Sequence, residues 1–346
     1  MNPYAQELQT TAKALVASGK GILAMDESNN TCNKRFEKLN IPTTEERRQT
    51  YRELILTTSN LSDVISGAIL YDETIRQSTR AGVPFTQVMQ NAGMLIGIKV
   101  DGGPWDLAGF PGEKVTEGLD HLRQRIDEYY KLGARFAKWR AVITIEEEIP
   151  SAACIESNAH ALARYAALCQ EGGLVPIVEP EVLIDGTHTI ERSYQVTDEV
   201  LQATFHELRL QNVALDQMIL KPSMVISGLS CPTQATVDQV AEMTIQCLLD
   251  NVPAAVPGIA FLSGGQTNEQ ASAHLNAMNV KYGDRCPWHV TFSYARAIQQ
   301  SALNYWTGND ANIQEAQRIL HHRASLNSAA SLGRYTPDLE RTPVLV

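Results

Sequence analysis

The chain has 346 residues, of which 44% are hydrophobic and 20% charged. These shares are typical of a globular protein and exclude a disordered or fibrous one. With 29 lysine and arginine residues against 39 aspartate and glutamate residues, the formal net charge is −10, which disfavours nonspecific binding to nucleic acid or an anionic membrane; any polyanion would need a local basic pocket.

The six cysteines favour a cytoplasmic protein with reduced thiols, because they form no CxxC pair and no metal-ligand spacing with histidine. The first residues lack the basic and apolar regions of a secretory signal. The longest uncharged stretch, residues 251–268, is interrupted by prolines and a glycine pair, so we expect no membrane span.

Short apolar runs alternate with helical patterns along nearly the whole chain, which is typical of repeated βα units and a parallel sheet. Eight runs are predicted to be strands, at residues 21–26, 67–71, 94–100, 135–140, 174–180, 218–222, 258–263 and 289–294. Eight strands with helices between them predict an α/β fold, a closed (β/α)8 or TIM barrel. Residues 1–346 then form one domain, with a C-terminal tail at about 336–346.

Three of the intervening helices are predicted from capping residues and apolar spacing. One follows a capping box of Thr43 and Glu46, and another begins at Thr116 and ends before Gly133. The third follows Thr236, after which apolar residues share one helical face.

Two segments are predicted to be irregular. The segment 101–118 holds five glycines and two prolines, which favours a loop without regular structure. Pro176 lies within a predicted strand but has no N–H to donate, so we expect the hydrogen-bonded part of that strand to begin after it.

Consecutive predicted strands end in ionisable residues at a spacing close to 40 residues, namely Lys99, Lys138, Glu179 and Lys221. The C-terminal ends of the strands of a barrel meet at one mouth, where active sites of this fold are built. Because side chains alternate along a strand, Arg140 should share a face with Lys138, and Glu181 with Glu179. We expect these charges to form one site, or else a structural network of ion pairs.

Lys221 is the candidate nucleophile of this site. A lysine that is partly desolvated near other cations loses proton affinity, and its neutral amine attacks carbonyl carbon. Lys138 would supply the nearby positive charge. Glu179 or Glu181 would act as the general acid or base that dehydrates a carbinolamine.

Two further groups of residues indicate anion binding. Residues 263–265, Ser-Gly-Gly, follow the seventh predicted strand and Arg296 follows the eighth, where this fold commonly binds phosphate, although the glycine pair could also be an ordinary turn. Lys34 and Arg35 form a second basic cluster after the first strand. Asp26 ends that strand and either faces the mouth as a base or caps the next helix. Two anion sites beside a lysine indicate a bisphosphorylated carbonyl substrate.

Seven motifs resemble those of the class I, Schiff-base-forming fructose-bisphosphate aldolases, in order and over residues 19–335. They are GILAMDES at 21–28, GIKVD at 97–101, FAKWR at 136–140, LVPIVEPE at 174–181, LKP at 220–222, FLSGGQ at 261–266 and FSYAR at 292–296.

The resemblance implies that Lys221 forms an imine with carbon 2 of a ketose and that Glu179 handles the protons, supported by Glu181 and Lys138. Asp26 would take the proton of the carbon 4 hydroxyl. The protonated imine serves as the electron sink, so no cofactor and no metal are implied. The implied ligands of the dihydroxyacetone-phosphate end are Ser263, Gly264 and Arg296. Those implied for the other half of the substrate are Ser28, Thr31, Arg35, Lys99 and Arg140.

The implied activity is reversible cleavage of fructose 1,6-bisphosphate, in glycolysis, gluconeogenesis or the Calvin cycle, by a cytoplasmic homotetramer. The alternatives are a preference for sedoheptulose 1,7-bisphosphate, a noncatalytic barrel that serves as a binding scaffold, and a pyridoxal-phosphate enzyme that uses Lys221. One departure concerns the chain end: many family members end in a tyrosine that assists turnover, whereas the last tyrosine here is Tyr335.

Overall fold

A computed structural model describes residues 2–341 of the chain. Ten strands occur in this part, and they are β1 (Gly21–Ala24), β2 (Ile65–Leu70), β3 (Leu95–Lys99), β4 (Gly103–Asp106), β5 (Lys114–Glu117), β6 (Phe136–Ile143), β7 (Val175–Val182), β8 (Ile219–Leu220), β9 (Gly258–Phe261) and β10 (His289–Tyr294). Eight of them close into a parallel barrel in the order β1-β10-β9-β8-β7-β6-β3-β2. This confirms the predicted single (β/α)8 domain.

Helices connect the barrel strands and form its outer layer. They are α1 (Ala5–Leu15), α2 (Asn29–Glu37), α3 (Glu45–Leu56), α4 (Asp72–Ile75), α5 (Phe85–Asn91), α6 (Leu122–Lys131), α7 (Ala152–Glu171), α8 (Ile190–Leu210), α9 (Val237–Asn251), α10 (Asn268–Tyr282), α11 (Arg296–Trp306) and α12 (Ile313–Ser331). None of the helices within residues 2–341 is both long and apolar enough to cross a membrane.

The barrel interior is apolar at one end and charged at the other. Near the N-terminal ends of the strands, Phe136, Val175 and Ile219 are fully buried in a cluster that also includes Leu8 and Leu15 of α1. Helix α1 therefore packs against this end of the barrel. The polar groups of the strands are left to the opposite end, which is the mouth.

The strand register brings the predicted charges to the mouth, with one offset. Lys99 on β3 is the register partner of Lys138 on β6, as equal spacing predicts. Glu179 on β7 pairs instead with Arg140, two residues further along β6. Such an offset accompanies the tilt of strands in a closed barrel, and it leaves alternate side chains on the interior face.

Two predictions about irregular segments are wrong. Residues 101–118 contain the antiparallel hairpin β4–β5, in which Gly103 pairs with Glu117. Strand β7 begins before Pro176, at Val175, whose N–H donates to Arg135 O beside β6. The next N–H position therefore points towards β8, which begins only at Ile219, so the missing donor leaves no ladder bond unmade.

The helix starts agree with the sequence in one of the three cases. Helix α9 follows Thr236, which forms a capping box with Gln239. Helix α3 is capped by Thr44, one residue later than predicted. The Thr44 hydroxyl accepts a hydrogen bond from the backbone N–H of Arg47. Helix α6 begins at Leu122 rather than at residue 116, which belongs to β5.

The C-terminal region is described only in part. The predicted tail, residues 336–346, contains a 3-10 helix at Pro337–Arg341. Tyr335 lies just before it and donates its hydroxyl hydrogen to Glu340 over 2.8 Å. Residues 342–346 lie outside the described residues.

Candidate active site

A cavity of about 440 Å³ opens at the mouth of the barrel, lined by strand ends and the loops that follow them. Twelve of the thirteen site residues predicted from the sequence line it, and these are Asp26, Ser28, Thr31, Lys99, Lys138, Arg140, Glu179, Glu181, Lys221, Ser263, Gly264 and Arg296. Segments more than 200 residues apart in sequence thus meet at one concave site, which is the usual location of activity in this fold.

A chain of buried ion pairs lies at the centre of the cavity. Lys138 Nζ lies 2.7 Å from Asp26 Oδ2 and 3.4 Å from Glu179 Oε2. The other oxygen of the Glu179 carboxylate lies 3.2 Å from Lys221 Nζ. Lys138, Glu179 and Lys221 are each less than 5% exposed. Glu179 therefore bridges two lysines that are both shielded from water.

The charges of Asp26 and Lys138 depend on each other. Burial alone would raise the pKa of Asp26, but attraction to Lys138 and Lys221 outweighs it and lowers this pKa to about 2. Burial would lower the pKa of Lys138, yet Asp26 and Glu179 hold it above its ordinary value. Near neutral pH, Asp26 is therefore a carboxylate and Lys138 an ammonium.

One oxygen of Glu179 is free of hydrogen bonds. Glu179 Oε2 is fully buried and has no hydrogen-bond partner among the residues described, although Lys138 Nζ lies within ion-pair distance. A buried carboxylate oxygen without a donor has an open acceptor position. Glu179 can therefore accept one further hydrogen bond.

A second layer of charges lies between β3, β6 and β7. Arg140 Nε forms an ion pair with Glu181, and this carboxylate holds the pKa of Arg140 above its ordinary value against the effect of burial. Lys99 forms an ion pair with Asp101. Glu181 therefore lies beside Arg140, and no ion pair joins it to Lys138 or Lys221 among the described residues.

The loop after β9 and the start of α11 lie together. Gly264 has a φ of +55°, a left-handed conformation that glycine adopts without the penalty of a side chain. Its carbonyl oxygen accepts a hydrogen bond from Arg296, the first residue of α11. Ser263 is buried beside them. The 263–264 backbone and the Arg296 guanidinium therefore line the same part of the cavity.

The two readings of Asp26 are resolved by the start of α2. Ser28 caps this helix, and its Oγ accepts the N–H of Thr31 over 3.3 Å. Asp26 is not the cap; its carboxylate faces Lys138 inside the mouth.

Arg35 is the one predicted site residue that does not line the cavity. Its guanidinium forms an ion pair with Glu27 and donates a hydrogen bond to Gln300 over 3.2 Å. Arg52 also binds Glu27, at 2.7 Å, and the two arginines hold the pKa of Glu27 low although burial raises it. A buried carboxylate needs such partners. Lys34, the neighbouring cation, is exposed on the surface.

The cavity is less basic than expected for a polyanion site. Five cations and five acids line it. Glu27 is neutralised from outside the cavity by Arg35 and Arg52, and the other acids pair with lysines or Arg140. Among residues 2–341, Arg296 has no carboxylate partner, so it is the cation most available to an added anion.

Several lining residues were not singled out from the sequence. Glu27, Asp101 and Ser293 lie inside the recognised motifs, and Gly103 and Pro104 follow one of them. Their position inside or next to the motifs was the only available signal. All six cysteines are free thiols, and the described residues contain no group of three or more histidine, cysteine or acidic side chains that could hold a metal ion.

The fold and the cavity together define the class: a (β/α)8 barrel with two buried lysines and their carboxylate partners at its mouth. The family model "Fructose-bisphosphate aldolase class-I" matches residues 7–343. The chain belongs to this family, as the sequence motifs predicted, and it is therefore an enzyme, a lyase.

Relatives from distant organisms support the assignment. A probable class 1 fructose-bisphosphate aldolase of Xylella fastidiosa (strain 9a5c) is 59% identical over 331 residues, which cover 95% of this chain and 98% of the relative. The fructose-bisphosphate aldolase of Dictyostelium discoideum is 50% identical, covering 97% of this chain and 94% of the relative. A solved structure of the Plasmodium falciparum fructose-bisphosphate aldolase, in complex with TRAP and a small-molecule inhibitor, is 46% identical and superposes with a TM-score of 0.94 over 96% of both chains.

Proposed function

We propose that the protein reversibly cleaves fructose 1,6-bisphosphate to dihydroxyacetone phosphate and glyceraldehyde 3-phosphate through a Schiff base on Lys221. The observation that carries the proposal is the buried bridge of Glu179 between Lys221 and Lys138, at 3.2 and 3.4 Å. The bridge supports the proposal because an amine, a carboxylate and a second lysine lie together, buried, in the cavity of a class I aldolase.

Imine formation begins with attack of Lys221 Nζ on carbon 2 of the ketose. The carbonyl oxygen takes up a proton to give a carbinolamine, and a second proton lets that oxygen leave as water. Glu179 lies next to the amine and has an open oxygen, which suits it to carry both protons. Lys138 stays an ammonium because two carboxylates hold its pKa high, so Lys221 is the lysine that reacts.

Cleavage follows from the protonated imine. Asp26 accepts the proton of the carbon 4 hydroxyl, the bond between carbons 3 and 4 breaks, and its electron pair passes to the imine to form an enamine. The aldehyde leaves as glyceraldehyde 3-phosphate. Protonation of the enamine at carbon 3 and hydrolysis of the imine release dihydroxyacetone phosphate. The low pKa of Asp26, about 2, keeps it ionised for this step.

The two phosphates would bind at opposite sides of the ion-pair chain. Ser263, Gly264 and Arg296 would hold the dihydroxyacetone-phosphate end, since they combine backbone donors with the cation that lacks a carboxylate partner among the described residues. The residues proposed for the other phosphate are Ser28, Thr31, Lys99 and Arg140. Arg35 is not included, because it does not line the cavity and its guanidinium is paired with Glu27.

The resemblance supplies the wider setting of the proposal. We place the enzyme in the cytoplasm as a homotetramer, acting in glycolysis, gluconeogenesis or the Calvin cycle. Its net charge of −10 does not oppose a doubly phosphorylated substrate, because the acids at the mouth are paired with cations and Arg296 has no carboxylate partner among the described residues.

Replacing the proposed nucleophile tests the mechanism. In Lys221→Met, cleavage of fructose 1,6-bisphosphate should fall by about a factor of 10⁴ or more, because Lys138, the other lysine beside Glu179, is held as an ammonium by its carboxylate partners. Lys131→Met, at an exposed position of α6, is the matched control and should keep wild-type kcat. Activity of the wild type should also persist in EDTA. Full activity of Lys221→Met would overturn the Schiff-base mechanism.

A further inference from the structure

Asp101 is a buried acid of the cavity that the proposed chemistry does not use. It lies two residues after Lys99, the last residue of β3, and its side chain is only 2% exposed. One oxygen, Oδ1, binds Lys99 Nζ and accepts the N–H of Gly103 over 3.0 Å. The other, Oδ2, accepts the backbone N–H of Arg140 over 3.2 Å. A single carboxylate thus joins β3, β4 and β6.

Asp101 orders the ammonium group of Lys99. Lys99 Nζ donates one hydrogen to the carboxylate and another to the backbone oxygen of Asp101, at 2.8 Å. An ammonium has three hydrogens, so one is left to donate into the cavity. Lysine is otherwise a flexible point charge, and fixing it before a ligand arrives removes an entropic cost from binding.

The same carboxylate fixes one wall of the cavity. Gly103, with a φ of +90°, begins β4, and its N–H is held by Asp101. The adjacent Gly102 N–H donates to Glu117 O on the returning strand, over 2.7 Å. Gly102, Gly103 and Pro104 all line the cavity. The hairpin therefore lies against the site at a position set by Asp101.

The negative charge of the Asp101 carboxylate is offset by the groups that donate hydrogen bonds to it. Three groups donate to the carboxylate, and one of them is the cation Lys99. A carboxylate satisfied in this way repels an incoming phosphate less than an unpaired one would. It can therefore lie next to a phosphate site and still serve that site.

We propose that Asp101 is a positioning residue that sets the preference for substrates with a second phosphate, by presenting Lys99 and the β4–β5 hairpin to that phosphate. The inference rests on the proposed function, because it takes Lys99 and Arg140 as ligands of the phosphate remote from the imine. Asp101 does not touch the reacting carbons; it acts through Lys99.

The test compares two ketose substrates in Asp101→Asn, which removes the charge and keeps the size. For fructose 1,6-bisphosphate, kcat/KM should fall about tenfold or more, mainly through KM, because Lys99 is no longer held. For fructose 1-phosphate, which lacks the remote phosphate, kcat/KM should stay within about twofold of wild type. Asp106→Asn is the matched control: this exposed aspartate pairs with Lys114 on the same hairpin, and its loss should change neither value.

A double-mutant cycle shows whether Asp101 acts through Lys99. The quantity compared is the kcat/KM for fructose 1,6-bisphosphate divided by that for fructose 1-phosphate. Lys99→Met alone should lower this ratio, and adding Asp101→Asn should lower it by less than about twofold further. If Asp101→Asn does not fold, Asp101→Glu, which retains the charge but displaces it, takes its place and should also lower the ratio. Equal losses on both substrates, additive effects in the cycle or an unchanged ratio would overturn the proposal. A wild-type enzyme that cleaves neither substrate would instead refute the proposed function.

Discussion

At the scale of single residues, the charge state of each side chain in the site depends on the ion pair that it forms. Asp26 and Lys138 fix each other's charge across 2.7 Å, and Glu179 connects this pair to Lys221. Removing one member of a buried pair leaves the other unpaired in a medium that disfavours charge. The consequences of substitutions at the mouth should therefore extend beyond the residue replaced.

His274 offers a residue-scale prediction about pH and stability. It is 3% exposed on α10, and its Nδ1 donates to Gln266 Oε1 over 2.6 Å, just after the 263–265 loop. Burial lowers the pKa of His274 from 6.5 to about 4. Between these values the unfolded chain binds a proton that the folded chain does not, so stability is lost as the pH falls from 6.5 to 4, and the loss is complete below 4.

The measurement is the free energy of unfolding of wild type and His274→Asn between pH 7 and pH 4. Asparagine does not titrate, and its amide can still donate to Gln266. The wild type should lose stability relative to this variant as the pH falls, approaching a total of about 3 kcal/mol near pH 4. A stability difference that does not change with pH would contradict the assignment of a buried, neutral histidine.

At the scale of secondary structure, the start of α3 depends on one hydroxyl. Thr44 Oγ1 accepts the N–H of Arg47, one of the N–H groups that lack a partner within the helix. Thr44→Ala should therefore lower the free energy of unfolding by about 1 kcal/mol. The matched control is Thr43→Ala, at the exposed position before it, which should have almost no effect. Denaturant titrations of both variants would test the prediction, and equal losses would contradict it.

The sequence predicts the order and type of the main elements well, because apolar alternation reports directly on burial. It predicts their ends less well. Thr43 and Thr44 have the same side chain, so the actual cap depends on where the backbone turns. The β4–β5 hairpin was missed because its glycines resemble a loop until Gly103 is seen paired with Glu117.

The location of the candidate site also follows from the strand pattern, whereas the partners of individual side chains do not. Residues at strand ends converge in any barrel, so Lys138 and Lys221 could be placed at the mouth from spacing alone. Arg35 could not, because its orientation is decided by a contact with Glu27, buried from the other side by Arg52. The contacts of Asp101 could not be predicted either, because its carboxylate accepts three hydrogen bonds from residues on different strands.

At the scale of the whole molecule, the apolar packing of the barrel interior and the charged cavity lie at opposite ends of the strands. Phe136, at the start of β6, is fully buried in an apolar cluster shared with α1, whereas Lys138 and Arg140 on the same strand reach the mouth. The interior core tolerates the buried charges because they pair with one another at one end. A chain with a net charge of −10 can therefore present lysines and arginines to an anionic substrate.

The central claim is that Lys221 forms a covalent imine with a ketose phosphate, and reductive trapping tests it most directly. Borohydride added in the presence of dihydroxyacetone phosphate should convert the imine to a stable secondary amine. Digestion and mass spectrometry should then find one modified peptide, with the added mass on Lys221 and none on Lys138 or Lys99. An unmodified Lys221 in an enzyme that turns over its substrate, or trapping at another lysine, would contradict the claim.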